Sequence, residues 1–171
     1  MRWIASGLVC LFVVPVLALA AAGEGDVAPA GQGGNLAAAV LSHPGIRLST
    51  DALRDVEAGD VDARLLQVLI VLASEHDLGA VGPIRTGHSY YVHGTTRVSN
   101  HAFARAVDIG AVDGARVSVN NDGAREAVAL ALSLAAPLRP DEVGSPWLIP
   151  TPGLSVFSDA DHLGHLHLGW R

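Results

Sequence analysis

One carboxylate constrains this chain more than any other residue. Asp108 stands between Val107 and Ile109 in a run, Ala104 to Val112, that reads as a buried strand closed by the hairpin-type turn Asp113-Gly114. A buried carboxylate without a partner is costly. The fold must therefore bring Asp108 an arginine, a set of backbone N–H groups or a metal ion. His101 precedes the same strand. The closing stretch DADHLGHLHLGWR, Asp159 to Arg171, carries three of the chain's eight histidines: His162, His165 and His167. On a strand His165 and His167 share a face, and Gly164 can bend the chain to bring His162 round. Clustered imidazoles suit a divalent transition metal, most often zinc. His101, Asp108 and one terminal histidine supply three protein ligands and leave a fourth position open, as in catalytic zinc sites.

The rest of the chain narrows the function classes. Its 171 residues form one domain by length. The formal charge is −6, and all 11 basic residues are arginine. An acidic chain without a basic run argues against nucleic acid as a partner. Arg2, an apolar run from Leu8 to Ala22 and small residues around Ala18 to Ala22 have the parts of a secretory signal over residues 1–22, with an uncleaved membrane anchor as the alternative. Cys10, inside that segment, is the one cysteine, so a mature chain has no disulfide and no thiol nucleophile. The expected location is secreted or cell envelope, outside the cytoplasm. Neither G-x-S-x-G nor a phosphate loop or dinucleotide fingerprint is present.

Residues 23–35, rich in Gly, Ala and Pro, read as a flexible linker before a domain over residues 36–171. A short helix is expected at Leu36–Leu41, stopped by Pro44. Ser49 or Thr50 caps a helix through Glu57, ended by Gly59. A third helix follows Asp60, apolar nearly all round from Leu65 to Leu72 and closed by Gly79, which marks it as the core helix. After Val81 the pattern turns to strands. Asn120 or Asn121 caps a helix to about Ala135, the segment RPDEVGSPW reads as loop, and strands are expected at Ser155–Phe157 and His165–Trp170. Helices first and strands later predict an α+β fold, a small mainly antiparallel sheet with helices on one side. His88 and His93 read as loop residues beside Tyr90-Tyr91, His76 as a surface residue, and Trp147 and Trp170 as packing.

Ser99-Asn100-His101-Ala102-Phe103-Ala104-Arg105-Ala106-Val107-Asp108 resembles the S-x-H-x-x-G-x-A-x-D motif of zinc D-Ala-D-Ala carboxypeptidases. The terminal HLGHLH resembles the H-x-x-H-x-H of the same group, which includes murein endopeptidases and the hedgehog signalling domain. Pro83 to Trp170, half the chain, is covered. The resemblance implies zinc held by His101, Asp108 and His167, with His165 and His162 as catalytic histidines outside the ligand set. It implies Arg85 as the group that binds a substrate carboxylate. The activity implied is hydrolysis of peptidoglycan stem peptides next to a D-residue; a monomer is expected. Ala104 replaces the motif's glycine, and Gly164 stands where relatives often carry an acid. The latter favours an alternative, a catalytically degenerate zinc-containing binding module of the envelope. A metal-free structural domain is the third reading.

Overall fold

The computed structural model describes residues 30–171. The signal segment 1–22 and most of the linker lie outside them. Helix α1 spans Ala30–Ser42, α2 Thr50–Ala58, α3 Ala63–Ala73 and α4 Asp122–Ser133. The strands are β1 Ile46–Leu48, β2 Leu78–Val81, β3 Ala106–Val112, β4 Ala115–Arg116, β5 Glu142–Gly144, β6 Ser155–Phe157 and β7 Leu166–Gly169. They join in one sheet ordered β1-β2-β3-β7-β5-β6, with β4 paired to the far end of β3. Among the described residues no helix is long and apolar enough to cross a membrane.

Local chemistry fixes most boundaries. Ser49 caps α2 by accepting the Ala52 N–H, and Gly59 ends it in the left-handed region at φ +79°. Asp62 caps α3 by accepting the Arg64 N–H, and Asn121 caps α4 by accepting the Ala124 N–H. Asp113 and Gly114 take positive φ, as a two-residue hairpin turn between β3 and β4 requires. All four helices feed one apolar cluster, with Leu65, Val68, Leu69 and Leu72 of α3 fully buried. Trp170 is buried in it, and its indole N–H donates to the Leu138 carbonyl at 2.9 Å.

The α+β class is as expected, but the sheet is mixed rather than mainly antiparallel. β1 pairs with β2 in parallel, and so does β5 with β6. The first pair is joined by a crossover through α2 and α3. Strands of three residues, such as β1 and β5, carry too little periodicity to reveal that pairing. Three boundaries also differ. Gly79 does not close α3; it lies inside β2. The tract read as linker up to Asn35 is helical from Ala30, because α1 continues back from the segment packed on α3. And RPDEVGSPW is not all loop, since it contains β5.

Register then sorts the side chains. Val107 faces Leu168, Asp108 faces His167 and Ile109 faces Leu166 across β3 and β7, while Val143 faces Leu168 and Gly144 faces His167 across β5 and β7. Strand alternation sends Val107, Ile109, Leu166, Leu168 and Val143 into the helix-covered core. Asp108, His167, Gly144 and Glu142 project from the opposite face.

A second buried carboxylate, Asp55 of α2, anchors the long loop after β2. Its Oδ2 accepts the N–H groups of Arg85 and Thr86 at 2.8 Å each, and its Oδ1 accepts the Thr86 hydroxyl at 2.7 Å. Burial alone would raise this carboxyl, but those bonds outweigh it and hold the pKa below the ordinary 3.8. A folded-state pKa below the unfolded one stabilises fully above the unfolded value and is lost as pH falls through the folded value. Asp55→Ala leaves two backbone donors unpaired, and we expect it to cost about 2–3 kcal/mol. Urea unfolding at pH 7 should show that loss, and the gap to wild type should narrow below about pH 4.

Candidate metal centre

The 3-10 helix Asn100–Phe103 delivers His101 to the polar face of the sheet. Ser99 begins it by accepting the His101 N–H on its hydroxyl, and Ala104 ends it at φ +50°, ψ +38°. That left-handed position explains the glycine in the resembling motif. The buried Ala104 methyl contributes about 0.8 kcal/mol of burial against the backbone penalty. His101 is 1 % exposed, and its Nδ1–H donates to the Ile84 carbonyl at 2.7 Å. A carbonyl can only accept, so Nε2 keeps its lone pair and points at Asp108.

Three donor atoms converge there. His101 Nε2 lies 3.4 Å from Asp108 Oδ1 and 3.2 Å from His167 Nδ1, and His167 Nδ1 lies 3.1 Å from Asp108 Oδ1. Ligand atoms about 2.0–2.1 Å from a tetrahedral ion stand about 3.3 Å apart. The spacing therefore fits a single small divalent cation. His88 adds to this group: one of its ring nitrogens lies within 4.8 Å of the His101 and Asp108 donors. The structure thus provides a His-His-Asp cluster able to hold a metal ion.

The His167 ring is fixed from its other side. Its Nε2–H donates to Glu142 Oε1 at 3.2 Å, and Arg97 Nη1 donates to Glu142 Oε2 at 3.0 Å. A carboxylate behind a ligand imidazole sets its tautomer and raises its basicity. Burial would push the His167 pKa down, but hydrogen bonds and charge from Asp108 and Glu142 push it up to about 9. Without a metal, His167 carries both protons, so metal binding must release one of them. Burial would raise both carboxyls, but the His101 and His167 imidazoles set against it hold Asp108 far below the usual carboxylate range. The bond from His167, with Arg97 beside it, holds Glu142 at about 2.

The terminal histidines take separate places. His165 Nε2 is 3.6 Å from Asp108 Oδ1, too long for a hydrogen bond, and burial pushes its pKa down, keeping the ring neutral. His162 sits at the end of a 3-10 turn, Ala160–His162, and its Nδ1–H donates to Asp159 Oδ1 at 2.6 Å. Its ring centroid is 4.9 Å from that of His165 and 5.7 Å from that of His167. The turn and the bend through Leu163–His165 bring His162 round, with Gly164 inside the bend as expected. Gly144 leaves the space: a Cβ there would stand 2.5 Å from the His162 ring and 2.6 Å from Phe157.

These groups line a cleft of about 490 Å³, joined by His88, His93, Arg97, Asp159 and Asp161. Arg85 is not among its lining residues. Its guanidinium lies 3.9 Å from Asp55 and 3.7 Å from Asp60. Of the six site residues named from sequence, five meet in the cleft and Arg85 stands outside it. Sequence reasoning passed over Glu142, whose signal was an acid beside Val143-Gly144 in a stretch taken for loop. It also gave too little weight to His88. Comparison with protein-family models, curated proteins and solved structures gives no match.

Glu142→Ala should lower metal affinity about 10–100-fold while the protein stays folded, measured by competition with a chromophoric chelator. Unchanged affinity would mean that His167 is not a ligand, or that its ring needs no support.

Proposed function

We propose that the chain is a zinc-dependent peptidase of the cell envelope, acting on peptidoglycan stem peptides beside a D-residue. The observation that carries this is the spacing of 3.1–3.4 Å among His101 Nε2, Asp108 Oδ1 and His167 Nδ1, with a neutral imidazole beside them. Zinc is favoured over calcium or magnesium because two of the three donors are imidazole nitrogens. Both motifs that resemble the D-Ala-D-Ala carboxypeptidases fall on this cluster, which supports the substrate class.

His101, Asp108 and His167 would hold the ion, whose chemistry is to acidify water towards neutral pH and polarise a carbonyl. His165, kept neutral by burial, takes a proton from the attacking water and returns it to the leaving amine. His162 faces the same space. Its Nδ1–H is committed to Asp159, so donation from Nε2 needs the doubly protonated ring, and Asp159 at 2.6 Å is the counter-charge for that form. Arg97, which lines the cleft, is better placed than Arg85 to bind a substrate carboxylate.

Purified muropeptides incubated with the protein should be shortened, and a chelator should stop the reaction. His165→Ala should lower turnover at least about 100-fold with zinc still bound at one equivalent. Loss of zinc along with turnover would rule out His165 as a proton carrier separate from the ligand set.

The absence of an acid at Gly164 favours a second reading, a binding module that keeps the metal but not the hydrolysis. Gly164 has φ outside the left-handed region, and a Cβ there meets nothing within 4 Å. Gly164→Asp should therefore fold with a stability change within about 0.5 kcal/mol. If wild type fails to turn over muropeptides and Gly164→Asp succeeds, the chain is the degenerate module; if both cleave, the enzyme reading stands.

A further inference from the structure

A chain of specific contacts holds His88 over the metal cluster. Asp55 fixes the backbone of Arg85 and Thr86. Gly87 follows at φ +86°, packed so close to α2 that a Cβ would stand 2.9 Å from Asp51 Oδ2. The next residue is His88, whose N–H donates to the Arg85 carbonyl. Its ring stacks on His101 with centroids 3.8 Å apart and planes 13° from parallel. Its Nδ1–H donates to the Ser89 carbonyl at 2.8 Å, which leaves a lone pair on Nε2. His101 is arranged the same way, with Nδ1–H on a carbonyl and Nε2 free. An imidazole oriented by a carbonyl on one nitrogen is the usual form of a metal ligand. One His88 nitrogen is within 4.8 Å of the His101 and Asp108 donors, at most about 1.5 Å beyond ligand spacing; an imidazole lone pair lies in its ring plane, so ligation tilts the His88 ring out of its stack on His101.

We propose that His88 is a fourth protein ligand, closing the coordination sphere of the resting site, and that it leaves when a substrate carbonyl or water takes its place. This rests on the metal reading above and adds the regulation of that site. A sphere of His88, His101, Asp108 and His167 has no open position, whereas catalytic zinc needs one. The loop after Thr86 carries the exchangeable ligand: Gly87 at its root has the backbone freedom for a hinge, and Tyr90 and Tyr91 beyond it are exposed.

The test uses the full chain loaded with Zn²⁺ or Co²⁺. X-ray absorption of the zinc form should count three imidazoles in wild type and two in His88→Ala. Metal affinity should fall at least about tenfold in that variant. The visible spectrum of the cobalt form should shift from four-coordinate towards higher coordination as water enters. His88→Phe keeps the stack on His101 and removes the lone pair. If ligation is the role, Phe behaves as Ala does; if stacking alone matters, Phe behaves as wild type and the proposal fails. Two imidazoles in wild type, or equal affinity in all three proteins, also overturns it. His101→Ala and His167→Ala are the controls: if they too bind metal as wild type does, the metal reading itself falls, and not only the part assigned to His88. Circular dichroism of the metal-free variants checks that each is folded.

Discussion

The register of β3 against β7 is the constraint on which the rest depends. Setting Asp108 opposite His167 puts a carboxylate and an imidazole on the same face, while Val107, Ile109, Leu166 and Leu168 fill the core on the other. A slip of one residue would turn the charged pair into the apolar cluster and the leucines towards the cleft. The burial of those apolar residues therefore holds the site in place. The cost of burying Asp108 is met by the two imidazoles that converge on it, as that of Asp55 is met by backbone N–H groups.

Around that pair the site is built in layers. His101 arrives from a 3-10 turn whose two ends are set by Ser99 and the left-handed Ala104. Glu142 and Arg97 stand behind His167 and fix its ring. His165 and His162 come from the bend just before β7, with Gly144 making room for the second. Glu142 and His167 lie on strands and His101 on a short anchored turn, and the exposed side of the cleft is formed by the loop after β2, which Asp55 anchors. A floor of strands beneath a roof built from a loop suits the proposed site, which would hold a cation and admit a peptide.

The floor of this arrangement was legible in the sequence, and the walls were not. Asp108 in an apolar run demanded a partner, and the spacing of His165 and His167 offered one. The helices announced themselves through Ser49, Asn121 and the apolar centre of α3. What escaped was short or non-local. β1 and β5 have three residues each, too few for a period, so the parallel pairings and the place of Glu142 went unseen. Arg85 is the arginine to which the resemblance assigns substrate binding, yet its guanidinium lies beside Asp55 and Asp60, earlier in the chain, and it does not line the cleft. His88 looked like any loop histidine, because its stack on His101 exists only once Asp55 has anchored the loop.

Anomalous diffraction at the zinc edge, from crystals of the chain grown with zinc, probes the central claim most directly. The account predicts one strong peak about 2.0–2.1 Å from His101 Nε2, Asp108 Oδ1 and His167 Nδ1 together. A map with no peak between these three atoms, at full zinc loading elsewhere or none at all, would contradict it.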